Sequence, residues 1–163
     1  MERGNLDEPI CRDAYAELFG NAEQFGPVEQ VGFMTNQIAG YTVGFSPDGL
    51  VGDDGIIEIK SRKAKKQIAT FLADEVPLEN MAQIQCGLMI SGRDWCDYLS
   101  WSGGLPMYRK RVEPDPRWFA VITLAVDQFE EAAAQMISDY ERATAGLPAT
   151  QYIDHFAILE IQL

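Results

Sequence analysis

A chain of 163 residues, 47% hydrophobic and 23% charged, can build one domain with a substantial core and is short for two. Its formal charge of −12 and pI near 4.4 argue against a surface that grips nucleic acid all over. No apolar run approaches the roughly eighteen residues of a membrane span.

The residues in chain order predict an α/β arrangement. Asn5 to Phe19 reads as a helix, with Asn5 or Asp7 as cap, Pro9 in its first turn and Gly20 after its end. Val28 to Thr35 and Tyr41 to Phe45 supply strand material. Gly52-Asp53-Asp54-Gly55 is a hairpin turn, because Gly and Asp accept the positive φ that tight turns require. A basic helix over Ala64 to Leu72 precedes a second helix from about Leu78 to Ile90. Trp95 to Trp101 and Met107 to Val112 read as strands, and Trp118 to Leu124 as a buried strand. Asp127 is the expected cap of a long scaffold helix with Phe129, Ala133, Met136, Ile137 and Tyr140 on one stripe. The tail from Thr150 to Leu163 is apolar, and its Phe156, Leu159 and Ile161 need a partner surface.

Chemistry concentrates between Gly44 and Lys66. A turn centred near Asp53 and Asp54 brings Asp48 within about one residue of facing Glu58. Strand alternation puts Glu58 and Lys60 on one face and Ile57 and Ile59 on the other, buried face. Two adjacent carboxylates repel unless a proton or a cation relieves them. Oxygen ligands without a His and Cys cluster suit Mg²⁺ or Mn²⁺, and Mg²⁺ usually takes only one or two carboxylates. Lys60 beside such a metal would orient or deprotonate a water or stabilise charge on a phosphodiester. The bland alternative is a surface hairpin with a Glu–Lys pair. His155, the only histidine, cannot build a His-metal site. Cys11, Cys86 and Cys96 form no CxxC pair, which favours a reducing compartment and argues against a four-Cys iron–sulfur site.

Ser46-Pro47-Asp48-Gly49-Leu50 followed by Glu58-Ile59-Lys60 resembles the core of the lambda exonuclease and YqaJ-type viral recombinase family, a branch of the PD-(D/E)xK nuclease superfamily. The resemblance extends upstream to Gly4 through Glu8 with Arg12 and Tyr15. Downstream it takes in Met81-Ala82-Gln83-Ile84-Gln85 and Gly92 through Tyr98.

The resemblance implies a restriction-endonuclease-like core, a central mixed β-sheet flanked by helices. It implies Mg²⁺-dependent digestion of one strand of linear duplex DNA from its 5′ end, leaving 3′ single-stranded tails for phage-type recombination. Asp48, Glu58 and Glu8 would be carboxylate metal ligands with the Ile59 carbonyl, and Lys60 would act on the attacking water. Gln85, with Gln83, would help to position that water or the scissile phosphate. Ser46 and Lys66 fall where the family contacts the 5′ phosphate, while Arg62, Lys63 and Lys65 add supporting charge. The implied partners are double-stranded DNA ends, a homotrimer and a single-strand annealing protein, in the cytoplasm of a bacterial host of a phage or prophage. Against the acidic total, the reply is a basic channel from the run Lys60 to Lys66 and from Arg109, Lys110 and Arg111. Longer members carry a lead segment before the part matching Met1 to Glu8, so the expectation is a single exonuclease domain over 1–163 without that lead. Two alternatives stay open: an endonuclease using the same site, and a non-catalytic DNA-binding or assembly module.

Overall fold

The computed structural model describes residues 2–19 and 28–153. The central hairpin forms around the acidic turn. Strand β4 (Gly49–Val51) pairs antiparallel with β5 (Gly55–Ser61), registering Gly49 with Ile57 and Val51 with Gly55. Gly52 takes a φ of 52°, the left-handed conformation that makes Gly the natural first residue of this turn.

The hairpin sits within a five-stranded sheet of order β1-β4-β5-β6-β7, with β1 (Val28–Glu29), β6 (Trp95–Trp101) and β7 (Tyr108–Val112). Among the described strand pairings only β5–β6 is parallel, so the sheet is mixed, as expected. The parallel step requires a crossover, supplied by helices α2 (Ala64–Ala73) and α3 (Leu78–Ser91). A separate hairpin of β2 (Met34–Ile38) and β3 (Tyr41–Phe45) packs on α3. There the Phe45 ring comes so close to Gly87 that an added Cβ would lie 2.6 Å from it.

Strand alternation divides the core. Ile56, Cys96, Tyr98 and Tyr108 join Ile84 and Leu88 of α3, together with Ile38 and Phe45. On the other side, Val51, Ile57, Ile59 and Leu99 meet Cys11 and Tyr15 of helix α1 (Glu2–Phe19). Tyr15 also donates to Asp97 Oδ2 at 2.7 Å, and Arg111 clamps that buried carboxylate at 2.8 and 2.9 Å.

Several sequence expectations are corrected. Helix α1 begins at Glu2, so Asn5 and Asp7 lie inside it and Pro9 falls past its first turn. Val28 to Thr35 is interrupted between β1 and β2. Trp118 to Leu124 is helical, part of α4 (Pro116–Thr144), and Asp127 lies mid-helix. The start is set by Asp115, whose Oδ1 accepts from the amide of Arg117 at 2.9 Å, with Pro116 at the first helical position. Phe119 and Val126 pack on the core from one stripe of that helix, the spacing a helix needs.

The chain divides into two compact units, Met1–Asp127 and Gln128–Leu163, where the sequence suggests one domain. In the second, Phe129, Met136, Ile137 and Tyr140 do share a stripe, but it is exposed. Phe156, Leu159, Ile161 and His155 lie outside the described residues. Among the described residues no helix is long and apolar enough to cross a membrane.

Candidate active site

The β4–β5 ladder ends at Gly49, one residue after Asp48, and among the described residues no strand pairs with the far end of β5 on that edge. Asp48 fills the gap with its side chain: its Oδ2 accepts from the amide of Ile59 at 2.6 Å. A strand residue turns its N–H and C=O towards the same edge, so the Ile59 carbonyl faces the Asp48 side as well. The main chain of Asp48 is fixed in turn by Arg12, whose Nε donates to the Asp48 carbonyl at 2.7 Å. Arg12 also holds Glu8, four residues earlier on α1, at 2.5 Å.

Glu58 is 1% exposed. Lys60 forms an ion pair with its Oε1, but neither carboxylate oxygen accepts a well-angled hydrogen bond among the described residues. Burial, followed by the charge of Asp48, pushes the Glu58 carboxyl up to about 7 against the pull of Lys60. Asp48 is likewise raised, by burial and then by Glu8, against the Ile59 hydrogen bond that favours its ionised form. The Cys11 thiol beneath them is pushed up to about 12, chiefly by burial, with Asp48, Asp7 and Glu8 contributing. Two crowded, desolvated carboxylates, with acceptor positions unfilled on Glu58, are an environment that a hard cation relieves. The donor set therefore fits such an ion, with Asp48 and Glu58 as its protein carboxylates. Among the described residues no three His, Cys, Asp or Glu side chains gather into a metal cluster, and Glu8 is turned to Arg12.

Of the two glutamines, Gln83 meets Lys60: its Oε1 accepts from Nζ at 2.9 Å. Gln85 is buried and clamps the loop before α4, donating to the Glu113 carbonyl and accepting from the Asp115 amide, both at 2.9 Å. Helix positions two apart lie on nearly opposite faces, so Gln83 faces the site and Gln85 anchors the scaffold.

Beyond Lys60, Ser61, Arg62, Lys63, Lys65, Lys66 and Ala69 line a cavity of ≈ 540 Å³. Ser46 is exposed beside buried Pro47, just ahead of Asp48. The other basic run is engaged in structure: Arg109 and Arg111 face Asp97, and Lys110 pairs with Asp74. Asp97 was missed in the sequence, although an acidic residue inside the apolar run Trp95 to Leu99 signals a buried partner.

The mixed sheet and its crossover helices, with an acidic hairpin beside a Glu-Ile-Lys strand, form a restriction-endonuclease-like core. The chain belongs to the YqaJ-like viral recombinase domain family, whose model matches residues 1–94. It is similar to the crystal structure of an alkaline exonuclease from Laribacter hongkongensis, with 34% identity and a TM-score of 0.79, covering 91% of this chain and 75% of that one. The same values hold for that exonuclease in complex with dAMP. No curated protein matches the chain.

Proposed function

We propose that this protein is a DNA exonuclease dependent on Mg²⁺, with Mn²⁺ able to substitute, that digests one strand of linear duplex DNA from its 5′ end. The product would be duplex with 3′ single-stranded tails, suited to phage-type recombination. Family membership and likeness to an alkaline exonuclease support a nuclease acting on DNA. The observation that carries the reading is Glu58, a buried carboxylate with open acceptor positions next to Asp48 and an ion-paired Lys60.

In this reading Asp48 and Glu58 would hold the metal with the Ile59 carbonyl, and Glu8, paired with Arg12, would be a further carboxylate ligand. The bound ion would polarise the phosphodiester and lower the pKa of a water. Lys60, kept in place by Glu58 and Gln83, orients that water and meets the charge that develops on the phosphate. Ser46, Lys66 and Arg62 receive the 5′-terminal phosphate. Gln85 acts indirectly, by fixing the loop that leads into α4. Assembly as a homotrimer and service to an annealing protein complete the proposal, and the exposed Phe129, Met136 and Tyr140 favour self-association.

Incubation with 5′-phosphorylated linear duplex and with covalently closed circles, with and without Mg²⁺, tests it. Mg²⁺-dependent loss of one strand from linear DNA alone is the expected result. Cutting of circles would indicate an endonuclease, and digestion of neither would overturn the proposal.

A further inference from the structure

Arg62, Lys63, Lys65 and Lys66 gather around one cavity at the start of α2 on a protein of charge −12. Lys63, at the cap position, makes no side-chain cap hydrogen bond, and the first turn holds no acidic residue. Into this group reaches Glu79, from the first turn of α3. Its Oε1 pairs with Lys66 Nζ and lies 3.4 Å from Arg62 Nη2, which also donates to Asn80 Oδ1 at 2.7 Å. On the Ser61 side, the hydroxyl donates to Asp7 at 2.5 Å. Glu79 is 55% exposed and Lys66 47%, so the pair is solvated and exchangeable. A terminal phosphate carries more charge and more acceptor oxygens than a carboxylate, and it bonds an arginine and a lysine together more strongly.

We propose that Glu79 is an internal counter-ion that occupies Lys66 and Arg62 while DNA is absent and yields them to the 5′-terminal phosphate. This deepens the reading of the site as a DNA-end nuclease and rests on it. The carboxylate keeps a basic pocket from collecting adventitious anions, and it lowers the affinity for ends by the cost of its own displacement.

The test is binding of 5′-phosphorylated and 5′-hydroxyl duplexes by wild type, Glu79→Gln and Glu75→Gln, followed by fluorescence anisotropy in EDTA over a salt series. Glu75→Gln removes the same charge from the neighbouring α2–α3 connection and controls for net charge. Glu79→Gln should bind the phosphorylated end about 2- to 5-fold more tightly, the range implied by an exposed ion pair. The gain should be smaller for the hydroxyl end, and the salt slope should steepen by about one. Adding Lys66→Ala should abolish the gain. Unchanged or weaker binding by a Glu79→Gln protein of wild-type circular dichroism, or an equal gain in Glu75→Gln, would overturn the counter-ion role alone. Wild type that binds neither duplex would overturn the DNA-end reading and the counter-ion role with it.

Discussion

The amide of Ile59 donates to the Asp48 carboxylate at 2.6 Å, immediately beyond the last residue that β4 pairs with β5. One side chain thus finishes a main-chain ladder and sets the position of a carboxylate that the proposed chemistry needs. The two roles can be separated. Asp48→Asn keeps an acceptor for Ile59, and its stability should stay within about 1 kcal/mol of wild type, whereas Asp48→Ala leaves the amide unpaired and should cost about 1–3 kcal/mol. Both should lose nuclease activity. Urea unfolding alongside strand digestion reads both effects, and an active Asp48→Asn would remove this residue from the metal site.

Glu58 makes stability depend on pH in an unusual direction for a carboxylate. Its ordinary value of 4.5 is raised to about 7 in the folded chain. Below pH 4.5 both states carry the proton and nothing is lost. As pH rises towards 7 the unfolded chain releases the proton while the folded chain keeps it, so stability falls, and above 7 the loss is complete. Its size is on the order of 3 kcal/mol at about 1.4 kcal/mol per unit. Without divalent ions, the stability of Glu58→Gln relative to wild type should therefore grow by about that amount between pH 4 and 8. Parallel curves for the two proteins would contradict the shift.

Gln83 and Gln85 should fail in different ways. Gln83→Ala frees Lys60 from its 2.9 Å partner and should slow digestion about 10-fold with little change in stability, while Lys60→Ala should cost about 10²-fold or more. Gln85→Ala strands the Asp115 amide and the Glu113 carbonyl and should lower stability by about 1–3 kcal/mol. Single-turnover rates and melting temperatures on the same samples separate them. Equal rate losses without destabilisation by Gln85→Ala would return Gln85 to the site.

Asp97 is a scaffold charge. Removing it leaves Arg111 without its two-pronged acceptor and Tyr15 without its partner, and Asp97→Ala should destabilise by about 3–5 kcal/mol. Chemical denaturation gives the value, and a loss under 1 kcal/mol would show that water replaces these bonds.

The hairpin from Gly44 to Ser61 was legible because its information is local: turn residues fix the register, and alternation separates Glu58 and Lys60 from Ile57 and Ile59. The strands Tyr41–Phe45 and Trp95–Trp101 were legible for the same reason. Trp118 to Leu124 departs from the strand its β-branched and aromatic residues favour, because Asp115 and Pro116 start a helix that packing on the core completes. What joined Asp97 to Tyr15 and Arg111, or Glu79 to Lys66, was invisible, because those partners meet only when separate elements pack. The choice between Gln83 and Gln85 turned on the rotation of α3, which an apolar stripe fixes only roughly.

Asp48 and Glu58 are the carboxylates proposed to hold the divalent cation. Calorimetric titration of Mn²⁺ into wild type and into the Asp48→Asn/Glu58→Gln double variant, both with native circular dichroism, tests this most directly. Wild type should bind saturably, and the double variant should lose that binding. Equal binding by both, or none by wild type, would contradict the assignment.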